Sequence, residues 1–160
     1  MAKEIERKFL VDHQRWSAMV KPAGQNFRQG YLLTDPEKTI RVRTTSTKGY
    51  LTIKGKNVGA TRTEFEYEIP HEEATALLND FSSTELSKIR YEIEHSNKLW
   101  EVDVFLGHNE GLVVAEIELI SEEESFEIPE WIDKEVTHDQ RYYNSNLTLA
   151  PFNTWNWESE

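Results

Sequence analysis

The chain alternates between apolar and polar residues over much of its length, which is the pattern of strands that are buried on one face. In residues 64–69, for example, phenylalanine, tyrosine and isoleucine alternate with three glutamates. The same period of two recurs at residues 4–9, 40–43, 51–54, 88–94, 101–104 and 116–119. Together with residues 27–33, it predicts about eight strands. Short connections such as Lys48-Gly49 and Ser96-Asn97 favour hairpins, and therefore antiparallel pairing.

Helical patterns are fewer. Pro70–Phe81 carries an apolar stripe behind an initial proline, and shorter helices are predicted at Asp12–Val20 and Asp139–Leu149. The sequence has no internal repeat and no low-complexity linker. We therefore predict one domain over residues 1–160, of the α+β class and mainly β.

Many charged residues stand two positions apart on the predicted strands, so that they share a strand face. These residues are Glu4, Glu6, Lys8, Arg41, Arg43, Lys54, Lys88, Arg90, Glu101, Asp103, Glu116 and Glu118. Two arrangements fit the pattern. The charged faces either point to solvent around a sandwich core, or they line a water-filled barrel whose apolar outer face is covered. Periodicity leaves both open.

The amino-acid composition argues against several classes of partner and of enzyme. The chain of 160 residues has a net charge of −11, which disfavours nucleic acid and anionic membranes as partners. It has no cysteine, and its five histidines are not paired at metal-ligand spacing, which argues against a zinc enzyme. The longest apolar run is Leu112–Ala115, and acidic residues occupy the N-terminus, so we expect a soluble, cytoplasmic protein without a signal peptide.

The opening Glu4-Ile-Glu-Arg-Lys8 carries the Glu-x-Glu-x-Lys signature of the CYTH superfamily, the triphosphate tunnel metalloenzymes. Nine further motifs follow in the family's order. They are Gln29–Leu32, Ile40–Arg43, Leu51–Gly55, Arg62–Pro70, Lys88–Tyr91, Trp100–Phe105, Gly111–Leu119, Glu135–Thr137 and Arg141–Asn144. The chain therefore resembles the short bacterial branch of this family over residues 3–151.

The resemblance implies an eight-stranded antiparallel β-barrel tunnel with a charged lumen, covered by a few helices. It also implies that a set of lumen cations grips the triphosphate and acts in catalysis together with Glu4 and Glu6. These cations are Lys8, Arg41, Arg43, Lys54, Lys88 and Arg90, and Arg62 extends the substrate-binding set.

The carboxylates take two roles in this resemblance. Glu116 and Glu118 resemble the ligands of a metal that bridges phosphate oxygens, and Glu4 and Glu6 resemble those of a second metal that activates water. Asp103 is expected near a metal, in its second shell. Hard oxygen ligands favour Mg²⁺ or Mn²⁺.

Glu64 and Glu66 resemble lumen carboxylates that support the cations, although a solvated strand edge is the alternative for this pair. Tyr31 is expected to pack rather than to touch substrate. Trp131, Trp155 and Trp157 are most simply packing residues or contacts for a partner.

The expected function is metal-dependent hydrolysis of a triphosphate, with inorganic tripolyphosphate as the favoured substrate. The alternatives are a class IV-like adenylate cyclase that makes cyclic AMP from ATP, a nucleoside or thiamine triphosphatase, and a polyphosphate-binding module without catalysis. The presence of all four metal-type carboxylates argues against the last. The expected partner is the triphosphate itself, with no nucleic acid or membrane, and a homodimer is left open.

Overall fold

The computed structural model describes residues 3–56, 58–82 and 84–155, apart from the side chains of Lys3 and Glu4, so Trp157 lies outside the described residues. Its described part contains nine strands. They are β1 (Lys3–Val11), β2 (Gln25–Asp35), β3 (Lys38–Thr44), β4 (Gly49–Gly55), β5 (Thr61–Ile69), β6 (Thr84–His95), β7 (Lys98–Phe105), β8 (Val113–Glu118) and β9 (Ile132–Glu135).

Eight of these strands form a closed barrel. Their order is β5-β4-β3-β2-β6-β7-β8-β1, every pairing is antiparallel, and β1 pairs with β5 to close the ring. The ninth strand, β9, pairs with β1 beside Phe9 and Val11. The predicted eight-stranded antiparallel barrel is therefore confirmed, and the sandwich with outward charges is wrong.

The helices are α1 (His13–Ala18), α2 (His71–Phe81) and α3 (Asn144–Leu149). Asp12 caps α1, its side chain accepting a hydrogen bond from the Arg15 backbone N–H at 3.0 Å. The predicted helix over Asp139–Leu149 is wrong in extent. Tyr143 is extended, with ψ 136°, and it separates a 3-10 turn at Gln140–Tyr142 from α3. In the described part of the chain, no helix combines the length and the apolar character needed to cross a membrane.

The main hydrophobic core lies outside the barrel, because the polar faces of the strands turn inward. Phe9, Trp100 and Ile117 are buried there against Trp16 of α1 and Trp131, the residue before β9. On the other side, α2 covers the barrel wall, with Ala74 and Leu78 packed against Val42. The barrel therefore has a polar lumen and an apolar outer surface.

The last third of the chain packs at one end of the barrel. Leu147 of α3 is completely buried and Tyr142 nearly so, in a cluster that includes Leu86, Phe105 and Val114. These three strand residues share the inward parity of Lys88, Asp103 and Glu116, since each lies two positions along its strand from one of them. The lumen therefore becomes apolar at this end, where the C-terminal segment fills it.

Replacement of Leu147 by Ala is expected to destabilise the protein by about 2–4 kcal/mol, because it leaves a void in a fully buried cluster. The matched control is Leu149→Ala in the same helix. Because Leu149 is 57% exposed, this substitution should lower the free energy of unfolding by less than about 0.5 kcal/mol. Urea unfolding monitored by tryptophan fluorescence measures both. Equal stabilities of the two variants would contradict the packing of α3 onto the barrel end.

Candidate active site in the barrel lumen

A cavity of about 350 Å³ occupies the lumen of the barrel. Six cationic side chains line it: Lys8, Arg41, Arg43, Lys54, Arg62 and Arg90. Six carboxylates line it too: Glu6, Glu64, Glu66, Glu101, Glu116 and Glu118. The side chain of Glu4 lies outside the described part of the structure. The lumen thus brings together most of the residues that the sequence marks as functional.

The two signs of charge are partly segregated across the lumen. Among the charged lining residues, those of β3 and β4 are all cations and those of β7 and β8 are all carboxylates, while β1 and β5 contribute both signs. In the ring of eight strands, β3 stands four strands from β8, and β4 stands four strands from β7. A cationic wall therefore faces an acidic wall.

Arg41 is the lumen cation with the weakest internal partner. It is only 7% exposed, and its Nη2 donates to the Thr52 hydroxyl at 3.2 Å. Its Nε–H is buried without a hydrogen-bond partner, and no carboxylate of the described residues pairs with it. An unsatisfied buried donor costs about 1–3 kcal/mol, so this guanidinium is arranged for an anion that enters the cavity.

Arg43 has one acidic partner and two aromatic ones. Its Nη2 donates to the Glu66 carboxylate at 3.1 Å, and its guanidinium carbon lies 4.8 Å from the Phe27 ring centroid and 5.1 Å from that of Tyr50. Burial, together with the positive charges of Arg41 and Arg90, lowers the pKa of Arg43 to about 10. Positive charge is therefore in local excess on this wall.

The remaining lining cations are held by the barrel itself. Lys54 pairs with Glu64 at 3.7 Å, and the Nε–H of Arg62 donates to the Gly55 carbonyl at 2.8 Å. Lys8 Nζ donates to the Tyr142 carbonyl at 3.3 Å, which ties β1 to the C-terminal segment. Glu64 and Glu66 accordingly each pair with a lumen cation, and Glu66 is at the same time exposed to solvent.

Lys88 and Asp103 do not line the cavity but lie buried behind it, with exposures of 0% and 2%. Asp103 accepts bidentate hydrogen bonds from Arg90 at 2.7 and 2.9 Å, and Lys88 Nζ lies 2.7 Å from its second oxygen. Both oxygens are thereby engaged. In the structure Asp103 is the counter-charge of two cations, and its expected place near a metal stays a prediction.

The electrostatics of this triad are set by burial and by one carboxylate. Burial lowers the pKa of Lys88 to about 7, although the Asp103 charge opposes the shift. Burial alone would raise the pKa of Asp103, but Arg90 and Lys88 outweigh it and hold that pKa well below its usual range. Arg90, whose second partner is Glu101 at 3.3 Å, is held charged and fixed at the cavity wall.

Carboxylates of β1 and β8 converge on the acidic wall. Glu6 stands opposite Glu118, and Glu116 stands opposite both Lys8 on β1 and Glu101 on β7. Burial would raise the pKa of Glu116, but the Lys8 charge and a hydrogen bond with the Glu6 carboxyl lower it well below its usual range. Glu6, Glu116 and Glu118 thus lie close together on two paired strands, and hard carboxylate oxygens arranged in this way suit a divalent ion.

The described carboxylates do not by themselves complete a metal site. No group of three or more Asp, Glu or His side chains in the described chain is close enough to hold an ion. Mg²⁺ commonly uses one or two protein carboxylates and takes its remaining ligands from water and substrate phosphates. The donor set around Glu6, Glu116 and Glu118 is of that kind.

Sequence reasoning missed several lining residues. Tyr31, expected only to pack, lies on the cavity wall while being 4% exposed. Thr137 and the run Tyr143-Asn144-Ser145 line the end nearest the C-terminal segment. These residues follow β9 and have no alternating pattern, so no periodicity could have placed them in the lumen.

A closed antiparallel barrel whose lumen carries opposed cationic and acidic walls is the architecture that the sequence resemblance implied, that of a triphosphate tunnel. The CYTH domain family matches residues 2–150, and the chain belongs to this family.

Two relatives match almost the whole chain. The inorganic triphosphatase of Acetivibrio thermocellus is 48% identical, over 95% of this chain and 97% of its own length. The inorganic triphosphatase of Nitrosomonas europaea is 35% identical, over 92% and 97%.

Solved structures share the fold. A crystal structure of an inorganic triphosphatase has a TM-score of 0.63 and 33% identity, covering 91% of this chain and 97% of that one. A putative adenylate cyclase from Bacillus halodurans has a TM-score of 0.60 at 20% identity, over 77% of this chain and 84% of its own. The second likeness concerns the fold alone.

Asp103→Asn is expected to destabilise the protein by about 3–5 kcal/mol, because it leaves the buried Lys88 without a counter-charge and Arg90 with Glu101 alone. Glu85→Gln is the control, since the Arg28–Glu85 pair is solvent-exposed and should contribute less than about 1 kcal/mol. Chemical unfolding gives both values. A loss for Asp103→Asn as small as that of the control would contradict the structural role of the triad.

Proposed function

We propose that this chain is a divalent-metal-dependent inorganic triphosphatase that binds tripolyphosphate in the barrel lumen and hydrolyses a terminal phosphoryl group. The observation that carries the proposal is the buried guanidinium group of Arg41, which lines the cavity. Its Nε–H has no hydrogen-bond partner, and no carboxylate of the described residues forms an ion pair with it. An anion with several oxygens would satisfy it. The two curated relatives named inorganic triphosphatase support the same substrate.

The cationic wall binds and orients the substrate in this proposal. Arg41 and Arg43 clamp phosphate oxygens in bidentate fashion, as the planar guanidinium group allows, while Lys8 and Lys54 act as point charges. Arg90 is fixed by Asp103 and therefore presents its charge without reorganisation. Lys88 lies behind the wall and contributes through Asp103 rather than by contact with the lining.

The acidic wall would hold the metal ions. Glu116 and Glu118 would hold one ion that also contacts the substrate, and Glu6 with Glu4 would hold another, Mg²⁺ or Mn²⁺ in each case. When bound, such ions neutralise charge on the phosphates and lower the pKa of water. Glu6 and Glu116 would then no longer share a hydrogen bond.

A product assay tests the proposal. The purified chain is incubated with tripolyphosphate, ATP or thiamine triphosphate, each with Mg²⁺ or Mn²⁺. We expect orthophosphate and pyrophosphate from tripolyphosphate, and none without metal. Cyclic AMP from ATP would support the cyclase, a preference for ATP or thiamine triphosphate would support those hydrolases, and binding without product would support the non-catalytic module. Cytoplasmic location and a homodimer stay predictions.

Arg41→Ala is expected to lower kcat/KM for tripolyphosphate by about 100-fold, because two hydrogen bonds to charged oxygens are lost. The melting temperature should stay the same or rise, since an unsatisfied buried cation is removed. Arg28→Ala, at the exposed pair with Glu85, is the control and should leave kinetics unchanged. A large loss of stability with normal kinetics would show that Arg41 is structural.

Tripolyphosphate should raise the melting temperature, because it binds the folded lumen and not the unfolded chain; at 100 times Kd the stabilisation is about 2.7 kcal/mol. Raising the salt concentration should shrink the shift, since ions screen the cationic wall. Differential scanning fluorimetry at several salt concentrations, with EDTA present, measures the effect of the cations alone. An unchanged melting temperature at millimolar ligand would contradict an anion site in the lumen.

A further inference from the structure

Gln29 on β2 is a fully buried amide that the proposed chemistry does not use. It is 0% exposed, and its Nε2 makes one long hydrogen bond, 3.4 Å to the Tyr31 hydroxyl. Its Oε1 is buried without any hydrogen-bond partner. Because a buried acceptor without a partner costs about 1–3 kcal/mol, this oxygen needs an explanation.

The strand register shows what lies beside this oxygen. Gln29 pairs directly with Arg43 on β3, just as Tyr31 pairs with Arg41. Directly paired residues on one face have Cβ atoms about 4.5–5.5 Å apart, within reach of one hydrogen bond between their side chains. Arg43 itself has a buried Nε–H with no partner. An orphan acceptor and an orphan donor therefore occupy one cross-strand pair.

The surroundings of Arg43 limit how it can move. The rings of Phe27 and Tyr50 lie close to its guanidinium group, and Nη2 is held by Glu66 on β5. An anionic ligand on the cationic wall would compete with Glu66 for this donor. When Nη2 turns from Glu66 to the ligand, the rigid planar guanidinium group reorients as a unit, so its Nε–H is redirected at the same time.

We propose that Gln29 is a positioning residue for Arg43: its Oε1 accepts the Arg43 Nε–H when the guanidinium leaves Glu66 for the anionic ligand. A guanidinium group can only donate, so the amide must present its oxygen rather than its nitrogen. The Tyr31 hydroxyl holds the Nε2 end, which leaves the oxygen end of the amide as the acceptor for Arg43. Gln29 thus stabilises the ligand-bound orientation, while in the free protein its oxygen lacks a partner.

Gln29→Met tests this, because methionine keeps the length of the side chain and removes the acceptor. The Kd for tripolyphosphate in EDTA, measured by calorimetry, should rise about tenfold, the value of one hydrogen bond to a charged group. The melting temperature of the free protein should not fall, since an unsatisfied group is removed.

The control is Asn109→Leu, a buried amide away from the lumen that accepts from the Phe152 N–H at 2.8 Å and donates to the Leu147 carbonyl. It should lower the melting temperature and leave Kd unchanged. If Gln29→Met behaves like this control, Gln29 is merely structural and the proposal is wrong.

A double-mutant cycle with Arg43→Lys locates the partner. Lysine has no Nε–H, so Gln29→Met should have no further effect on Kd in the Arg43→Lys background. Additive effects would overturn the assignment.

The assignment rests on the proposed function only for the identity of the anion. Binding of tripolyphosphate without hydrolysis in Mg²⁺ would contradict the triphosphatase and leave the Gln29 assignment standing. Hydrolysis by the unaltered chain together with an unchanged Kd in Gln29→Met would support the triphosphatase and contradict the role of Gln29. Absence of tripolyphosphate binding by the unaltered chain would overturn both proposals.

Discussion

The need to neutralise charged side chains inside a closed ring governs this structure. Eight strands turn their polar faces inward, so the cations of β3 and β4 can find opposite charge only across the lumen or on neighbouring strands. Six cations and six carboxylates line the cavity, which makes its described lining formally neutral. Segregation of the two signs on opposite walls leaves this balance intact while it creates a strong field between them.

The inward polar faces also decide where the hydrophobic core must lie. Apolar residues such as Trp100 and Val42 face outward and need cover, which α1, β9 and α2 supply. Phe65 and Tyr67 on β5 stay 48% and 55% exposed, so the cover is incomplete there. At one barrel end, the apolar side chains around Leu147 replace charged ones, and the lumen is filled instead of open.

Eight strands and most of the lumen residues could be predicted, because a period of two records which side chains share a face; β9 has no such pattern and was not predicted. Periodicity could not decide whether the charged faces point to solvent or into a lumen, since Arg41 alternates with Val42 in the sandwich and in the barrel alike. Only the resemblance to a family favoured the barrel. Alternation placed Asp103 on the lumen face, but its ion pairs with Arg90 and Lys88 of the neighbouring strand β6 could not be predicted, because they depend on the register between β6 and β7. Residues 137 and 143–145 lie in irregular segments, whose path only tertiary contacts define.

Neutrality of the lining also explains why metal ions belong to the proposed chemistry. Arg43, Lys54 and Arg90 already have carboxylate partners, whereas Arg41 has none among the described residues. A triphosphate brings several negative charges into a space whose charges already cancel. Without added positive charge, it would have to displace Glu66 or Glu64 from its cation and leave that carboxylate without a counter-charge. Divalent ions that enter with the substrate and bind Glu6, Glu116 and Glu118 restore the balance, because they neutralise both the phosphates and the acidic wall.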